Sequence, residues 1–237
     1  MTERRKGGGS GRTASTGRGM AVRVKTARGR SLSSTLWLQR QLNDPYVAEA
    51  QRLGLRSRAA FKLMELDDRL GLLRPGMRVV DLGAAPGGWS QVAVQRVGAG
   101  GPGGGLVVGI DIAPWEPLPG ATCLTHDFMA ADAPALLRQA LNGPADAVLS
   151  DMAANTTGHP ATDHLRIVGL VEAAYAFAEE VLAPGGVFVA KVFQGGTEHK
   201  LLATMKRRFA TVRHIKPPAS RKDSSEIYLV AMGFREG

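Results

Sequence analysis

Four ionisable residues, far apart in the chain, have side chains that could together remove a proton from a hydroxyl group. They are two lysines and two carboxylic acids, namely Lys62, Asp151, Lys191 and Glu226. Lys191 is the most informative, because it interrupts the apolar run from Val187 to Phe193, where burial of a charge is costly unless the charge is paired. A lysine that is neutral at one stage of a reaction can act as a general base. We therefore predict that Lys191 is that base.

A glycine-rich turn, directly after a predicted strand at Arg78–Leu82, is the second chemical signal. Its glycines are Gly83, Gly87 and Gly88. Glycine lets the backbone pass close to a nucleoside-sized ligand without side chains in the way. The dinucleotide fingerprint would also need glycine at the position of Ala85, so a nicotinamide cofactor is disfavoured.

Acidic residues at the ends of three predicted strands favour an adenosine ligand beside this turn. Asp81, at the tip of the first strand, could order the turn or accept a hydrogen bond from a cationic ligand. Asp111 ends the second strand, where an acid can accept hydrogen bonds from ribose hydroxyls. Asp127 follows the third strand and could bind an adenine amino group. Asp111 and Asp127 could equally be aspartates of turns or helix caps, and their spacing leaves that open.

The elements that must position these residues are short apolar runs that alternate with helical stretches, as in a doubly wound α/β sheet. Strands are predicted at Arg78–Leu82, Leu106–Ile110, Ala121–Thr125, Ala147–Ser150, Gly186–Val192, Thr211–Ile215 and Glu226–Met232. Helices are predicted at Ser57–Leu70, Ser90–Val97, Ala133–Leu141, His164–Leu182 and Glu198–Phe209. The last two strands are separated by a loop too short for a parallel crossover, so the last strand should be antiparallel. The expected fold class is α/β, with a Rossmann-like, seven-stranded, mostly parallel sheet and helices on both faces.

Such a sheet binds ligands at the carboxyl ends of its parallel strands. Asp151 ends the fourth strand and Lys191 lies near the end of the fifth. Glu226 begins the antiparallel strand, and Lys62 lies early in a helix that runs opposite to the first strand, so both can reach the same edge. Taken singly, Lys62 and Glu226 could also be solvated surface charges.

Length, charge and cysteine content indicate the domain organisation and the cellular compartment. A chain of 237 residues with 44% hydrophobic content can bury one substantial core, so residues 31–237 are predicted to form a single domain. Residues 1–30 hold nine Lys or Arg and one acid, which gives +8 of the net charge of +9. We expect this stretch to be a disordered basic arm that either binds a polyanion or only increases solubility. One cysteine and no long apolar run indicate a reducing compartment and no membrane span, hence the cytoplasm.

Several motifs, taken in order, resemble those of the FtsJ family of ribose 2′-O-methyltransferases, over about residues 36–234. The matching segments are Asp44-Pro45-Tyr46, Arg56-Ser57-Arg58-Ala59-Ala60-Phe61-Lys62-Leu63, Asp81-Leu82-Gly83-Ala84-Ala85-Pro86-Gly87-Gly88-Trp89-Ser90-Gln91, Ser150-Asp151-Met152-Ala153, Val189-Ala190-Lys191-Val192-Phe193 and Arg221-Lys222-Asp223-Ser224-Ser225-Glu226-Ile227-Tyr228. The resemblance implies a methyltransferase fold that binds S-adenosylmethionine and needs no metal. It also implies that the substrate is a uridine ribose in 23S ribosomal RNA, on the assembled 50S particle, and that the enzyme is a monomer.

Residue roles follow from the same resemblance. A catalytic tetrad is implied at Lys62, Asp151, Lys191 and Glu226. Methyl-donor contacts are implied at Gly87, Trp89, Asp111, Asp127 and Asp151. Basic residues that flank the predicted site could contact RNA phosphates, and they are Arg56, Arg58, Arg221 and Lys222. Two alternatives remain: a non-catalytic RNA-binding assembly factor that keeps the cofactor fold, and an enzyme that methylates a small molecule or a protein.

Overall fold

The first described helix of the chain is α1 (Leu32–Leu42), which the sequence analysis did not predict. The computed structural model describes residues 31–154, 158–194 and 199–236. Ser31 caps α1, since its hydroxyl oxygen accepts a 3.2 Å hydrogen bond from the backbone of Ser34. Of the described residues, 31–44 belong to one unit and those from Pro45 onward to a second. The predicted arm, residues 1–30, lies outside the described residues, and the domain boundary after residue 30 stays a prediction.

The second unit alternates helices with strands, as predicted. Its helices are α2 (Pro45–Arg52), α3 (Ala59–Leu70), α4 (Gly88–Val97), α5 (Ala133–Leu141), α6 (Pro160–Val181) and α7 (His199–Arg208). Its strands are β1 (Arg78–Leu82), β2 (Leu106–Asp111), β3 (Ala121–Thr125), β4 (Ala145–Ser150), β5 (Leu182–Phe193), β6 (Phe209–Ile215) and β7 (Glu226–Phe234). None of the helices that the structure describes is long and apolar enough to cross a membrane.

All seven strands form one sheet in the order β3-β2-β1-β4-β5-β7-β6. Strands β1 to β5 pair in parallel, whereas β7 is antiparallel to both of its neighbours, β5 and β6. The predicted mostly parallel sheet with an antiparallel last strand is confirmed. The order reverses at β1, because β2 lies on one side of it and β4 on the other, and ligands bind at such a switch point.

Two hydrophobic cores cover the two faces of the sheet, because alternate residues of each central strand point to opposite faces. Val80 and Leu82 of β1 pack with α5 and α6, whereas Val79 packs with α3 and α4. The fully buried Asp81 lies between these positions in the strand, at the end that carries the glycine-rich turn. Helices α3 and α4 are thereby fixed against the strand end from which the functional loops emerge.

Several boundaries differ from the predicted ones. Helix α2 was not predicted, and α3 begins at Ala59 rather than Ser57. Strand β5 begins four residues earlier than predicted, at Leu182, and its register against β4 shifts between Ala145 and Ala147. The Pro-Gly-Gly sequence at 184–186 is typical of a turn, and it lies in this irregularity, since β5 pairs with β4 at Leu182 and again from Val187 and Gly185 has a φ of +81°.

Candidate active site

A cavity of about 300 Å³ opens at the carboxyl edge of the sheet, where the switch point lies. It is lined by Gly83, Ala85, Ile110, Asp111, Ile112, Asp127, Phe128, Met129, Asp151, Met152, Ala153 and Leu170. Three of these residues are carboxylates at strand ends, as the sequence predicted: Asp111 ends β2, and Asp127 and Asp151 follow β3 and β4. An apolar cavity with a few converging polar groups is typical of a small-ligand site, and this size is at the lower end of such sites.

Asp111 and Asp127 each hold a turn together and also face the cavity. Asp111 accepts hydrogen bonds from the backbone of Ala85 at 2.9 Å and of Ala113 at 2.8 Å, one on each carboxylate oxygen. Asp127 accepts one from the backbone of Met129 at 2.9 Å. The role in turns that spacing left open is therefore confirmed, and the backbone bonds fix each carboxylate at the wall of the cavity, whereas their binding of a ligand stays a prediction. Each carboxylate oxygen has a second lone pair with which to bind a ligand donor.

The glycine-rich turn passes very close to the loop after β4. Gly83 has a φ of +79°, and a Cβ built on it would lie 2.8 Å from Met152 Cγ and 2.9 Å from Met152 Cα. Such distances are too short for carbon atoms, so only glycine fits between β1 and Met152 without displacement. The structure therefore explains Gly83 by the close approach of the turn to Met152, and the predicted passage of the backbone beside a ligand stays a prediction.

Asp81 does not line the cavity, although it was predicted to bind the cofactor. It is fully buried, and its Oδ2 accepts a 2.6 Å hydrogen bond from the Ser90 hydroxyl of α4. Burial raises the pKa of Asp81 to about 7, with the Ser90 bond acting in the opposite direction. Among the described residues, its Oδ1 has no hydrogen-bond partner. In this structure Asp81 thus anchors α4 beneath the turn.

Gly87, Gly88 and Trp89 also lie outside the wall of the cavity. Gly87 caps α4 at a φ of +104°, and Gly88 begins that helix. Trp89 is buried, donates a 2.8 Å hydrogen bond from Nε1 to the Ala59 carbonyl, and packs on the Tyr228 ring with centroids 5.4 Å apart. The structure therefore places Trp89 between the start of α3 and β7, next to the predicted catalytic residues.

Lys191 and Asp151 meet at the ends of β5 and β4. The Lys191 Nζ donates a 2.7 Å hydrogen bond to the Asp151 carbonyl and lies 3.2 Å from Asp151 Oδ1. The charge that interrupts the apolar run is thus buried and paired, as its sequence context required. Asp151 also lines the cavity, so one residue connects the lysine to the ligand site.

Tyr228, which was not among the residues predicted from the sequence, joins the two halves of the predicted tetrad. Its hydroxyl donates a 2.6 Å hydrogen bond to Asp151 Oδ1 and accepts one from Lys62 Nζ at 3.0 Å. Lys62 Nζ also lies 3.4 Å from Glu226 Oε2. The structure therefore brings all four predicted residues into one connected cluster, with a tyrosine at its centre.

The charges of this cluster stabilise the ionised form of Asp151. Burial alone would raise the pKa of Asp151, but the charges of Lys191 and Lys62 and the hydrogen bond from Tyr228 outweigh it and hold the pKa below its usual value. Burial and the neighbouring Asp151 raise the pKa of Tyr228 well above its ordinary value. Tyr228 therefore stays a neutral hydrogen-bond donor to an ionised Asp151 at physiological pH.

A loop beside this cluster carries two of the predicted RNA contacts. Arg221 and Lys222 lie in the connection from β6 to β7. The loop is tied to α3, because Arg58 donates a 2.5 Å hydrogen bond to the Ala219 carbonyl and Glu65 accepts one from the Ala219 backbone at 2.7 Å. The loop that carries Arg221 and Lys222 is therefore fixed to α3, the helix that also carries the buried Lys62.

Arg56, like Arg58, donates hydrogen bonds to backbone carbonyls of the chain, but it has three such partners. Its guanidinium donates to the carbonyls of Pro86, Glu116 and Pro117, at 3.4, 2.7 and 2.6 Å. These carbonyls belong to the two loops that flank Asp111. The side chain therefore connects segments of the chain itself.

This arrangement can perform a methyl or similar group transfer that needs a base. The cavity suits an adenosine-sized ligand, and the paired Lys191 lies beside it. Among the described residues, no group of three or more His, Cys, Asp or Glu side chains is arranged to hold a metal ion.

Comparisons with known proteins agree with this arrangement. Residues 55–234 match the family described as FtsJ-like methyltransferase. The chain is 68% identical over 232 residues to the "Ribosomal RNA large subunit methyltransferase E" of Paramagnetospirillum magneticum, which covers 95% of each chain. It is 67% identical over 218 residues to the protein of the same name from Rhodospirillum rubrum, with 92% of this chain and 83% of that one covered. A solved structure of a Plasmodium falciparum protein assigned as a ribosomal RNA methyltransferase has a TM-score of 0.66 and 28% identity, over 76% of this chain and 98% of that one.

Proposed function

The chain belongs to the FtsJ-like methyltransferase family, and from this premise we propose that it transfers a methyl group from S-adenosylmethionine to a ribose 2′-hydroxyl of large-subunit ribosomal RNA. Its relatives at 67 and 68% identity are named for methylation of that RNA. We propose a uridine of 23S rRNA on the assembled 50S particle as the target, with the protein acting as a monomer in the cytoplasm.

Asp151 carries the proposal, because it takes part in both halves of the site. Its side chain lines the cavity, and its carbonyl and carboxylate oxygens hold the Lys191 ammonium at 2.7 and 3.2 Å. A cofactor methyl group and a substrate hydroxyl would have to meet beside this residue. Proximity of this kind supplies much of the rate in a bimolecular transfer.

The residues around the cavity fit S-adenosylmethionine. Asp111 and Asp127 are held at the wall by backbone bonds and offer acceptors to ribose hydroxyls and an adenine amino group. Gly83 lines the cavity without a side chain, and a Cβ there would also collide with Met152 of the opposite wall. When bound, S-adenosylmethionine supplies an electrophilic methyl group on its sulfonium. Four further residues were predicted to contact the cofactor but do not line the cavity, namely Asp81, Gly87, Gly88 and Trp89. They would affect cofactor binding indirectly, by fixing the conformation of the glycine-rich turn.

The proton of the ribose hydroxyl goes to Lys191 in this proposal. A protonated lysine has three N–H bonds, and two can be directed to the oxygens of Asp151. Loss of the third proton gives Nζ a lone pair that can accept the 2′-hydroxyl proton. As the oxygen forms its bond to the methyl carbon, the bond from sulfur to that carbon breaks and the proton moves to Nζ. Lys62 and Glu226 hold the hydroxyl and the adjoining phosphate.

Contacts with the RNA backbone are proposed for Arg58, at the start of α3, and for Arg221 and Lys222, in the loop fixed to that helix. Phosphate contacts of this kind position RNA without reading its sequence. Each phosphate contact that is lost makes the slope of log K against log salt concentration shallower by about 0.7 to 0.9. Alanine at Arg221 or Lys222 is therefore expected to weaken RNA binding mostly at low salt.

The experiment that tests the function follows labelled methyl from S-adenosylmethionine to three acceptors. These are large ribosomal subunits that lack the modification, free large-subunit rRNA, and small subunits. We expect 2′-O-methyluridine in the large subunits and its loss in Lys191→Ala. Lys200→Ala removes an exposed lysine of α7 and is the matched control that should leave transfer unchanged.

Two outcomes would contradict the proposal. If no RNA is methylated while a protein or small molecule is, the acceptor is wrong. If Lys191→Ala transfers no methyl group yet restores subunit assembly in cells as well as the parent protein does, the chain acts as an assembly factor that keeps a cofactor fold.

A further inference from the structure

Arg56 lies across the outside of the cofactor turn, where its guanidinium reaches two loops at once. On one side it donates to the Pro86 carbonyl, at 3.4 Å, in the glycine-rich turn. On the other it donates to the Glu116 carbonyl at 2.7 Å and the Pro117 carbonyl at 2.6 Å. Charge-assisted hydrogen bonds such as these are roughly twice as strong as neutral ones. One side chain therefore ties the turn after β1 to the loop after β2.

The loop after β2 depends on such a tie, because it has little hydrogen bonding of its own. Between β2 and β3 the chain forms no helix or strand. Prolines at Pro114, Pro117 and Pro119 have no N–H group to donate. The carbonyls of Glu116 and Pro117 therefore find their partner in the Arg56 guanidinium rather than in a regular element.

Asp111 is held between the same two loops from the cavity side. Its carboxylate accepts the backbone N–H of Ala85, in the turn, and of Ala113, in the loop after β2. Arg56 thus bonds to both loops on the side away from the cavity, and Asp111 bonds to both loops on the side that faces it. Any separation of the two loops would move the Asp111 carboxylate relative to the rest of the cavity.

The position of Arg56 is itself fixed by the start of α4. Its backbone N–H donates a 2.9 Å hydrogen bond to Gln91 Oε1, and Gln91 Nε2 donates one of 2.9 Å to the Gly54 carbonyl. A Cβ on Gly87 would lie 2.9 Å from both Cδ and Nη1 of Arg56. Gly87 is therefore glycine in part because the arginine side chain crosses it.

We infer that Arg56 is a positioning residue for the cofactor, which sets the affinity for S-adenosylmethionine by holding these two loops together. This role replaces the phosphate contact that the sequence suggested for Arg56, and it rests on the proposed function. Three carbonyls of the chain occupy the guanidinium, so its N–H groups serve the protein before they serve RNA. Arg56 affects the reaction through Asp111 and the turn, and it is not itself a catalytic residue.

The test compares Arg56→Lys and Arg56→Ala with Arg52→Ala, in which an exposed arginine of α2 is removed. Calorimetry measures the binding of S-adenosylmethionine and of its demethylated product to each protein without RNA. We expect binding to weaken by about tenfold or more in both Arg56 variants, since the loss of charge-assisted hydrogen bonds commonly has that effect. Lysine keeps the charge and the aliphatic stem over Gly87 but cannot donate to both loops. Cofactor affinity in Arg56→Lys should therefore be only slightly higher than in Arg56→Ala. Arg52→Ala should bind as the parent protein does.

Two further measurements separate this role from a general loss of structure and from RNA binding. In the ligand-free protein, backbone amides of residues 112–120 should exchange faster with solvent in Arg56→Lys than in Arg52→Ala. The salt slope of RNA binding should be unchanged in Arg56→Lys and Arg56→Ala.

Unchanged cofactor affinity in Arg56→Lys would overturn the inference, and so would a shallower RNA salt slope in Arg56→Ala with unchanged cofactor affinity. Neither result would bear on which RNA is methylated, since methyl transfer by the unaltered chain tests that separately.

Discussion

The hydroxyl group of Tyr228, on β7, donates a 2.6 Å hydrogen bond to Oδ1 of Asp151, which directly follows β4 on the far side of β5. The same oxygen of Asp151 lies 3.2 Å from Lys191 Nζ. A carboxylate oxygen that is held from one side by a neutral hydroxyl keeps its orientation while the lysine on the other side exchanges a proton. Tyr228 is therefore expected to position Asp151 during the reaction.

Tyr228→Phe should lower kcat by about tenfold or more, because a hydrogen bond to a charged group contributes about 1.5 to 3 kcal/mol. The ring is kept, so its packing on Trp89 and the affinity for S-adenosylmethionine should change little. Steady-state kinetics and calorimetry measure the two effects. Tyr175→Phe removes another hydroxyl, which bonds to Glu179 on α6, and is the control. Equal kinetics for Tyr228→Phe and Tyr175→Phe would remove Tyr228 from the mechanism.

Lys62 and Glu226 should contribute unequally, although they form an ion pair. Lys62 is buried against Tyr228, whereas the Glu226 side chain is 30% exposed and lies 3.4 Å from Lys62 Nζ. Lys62→Met should lower kcat/KM at least about thirtyfold, because loss of one partner in a buried charge cluster costs about 2 to 5 kcal/mol. Glu226→Gln should lower it no more than about fivefold, since partly exposed ion pairs contribute up to about 1 kcal/mol. Comparable losses in the two variants would contradict this unequal contribution and show that Glu226 is as important as Lys62 for holding the hydroxyl and the phosphate.

Gly83→Ala should both destabilise the protein and weaken cofactor binding. Gly83 and Gly54 have similar positive φ angles, +79° and +67°, but only at Gly83 would a Cβ meet another residue, Met152, within 3 Å. Gly54→Ala is therefore the matched control, and it should cost about 1 kcal/mol of unfolding free energy from backbone strain alone. Urea unfolding and calorimetry should show a larger loss for Gly83→Ala, with weakened S-adenosylmethionine binding in that variant only. Equal effects would mean that Met152 moves aside without consequence.

The residues at strand ends were predictable because topology alone fixes where they lie. Asp111, Asp127 and Asp151 each follow a strand of a parallel sheet, so the alternation of elements was enough to bring them to one edge. Lys191 was predictable for a different reason, since a lysine inside an apolar run must find a partner. Side-chain geometry was not needed to predict either the aspartates or the lysine.

Tyr228 and Arg56 could not be assigned in this way, because their partners depend on register and on loop conformation. Tyr228 lies opposite Lys191 in the pairing of β5 with β7, a register that the sequence does not state. A signal was nevertheless present, since Glu226 and Tyr228 are two residues apart in one strand and therefore share a face. Arg56 binds carbonyls of irregular loops, for which no residue pattern exists.

The stability of the protein should depend on the titration of Asp81 between about pH 4 and pH 7. Burial raises the pKa of Asp81 from 3.8 to about 7 in the folded chain, so the folded state binds this proton more tightly than the unfolded state does. The contribution of the proton is then fully present below pH 4 and is lost as the pH rises through 7. At most it amounts to about 4 kcal/mol, since each pKa unit corresponds to about 1.36 kcal/mol.

Asp81→Asn removes this titration and keeps an oxygen that can accept the Ser90 hydroxyl. The unfolding free energy of Asp81→Asn, relative to the parent protein, should therefore increase from pH 5 to pH 8, measured by urea unfolding without cofactor. Asp223→Asn, at an exposed carboxylate in the loop before β7, is the control for the change of residue type. A difference between Asp81→Asn and the parent that is constant with pH would mean that Asp81 is ionised in the folded chain throughout this range. In that case its buried Oδ1 would have to be stabilised by a donor such as a bound water.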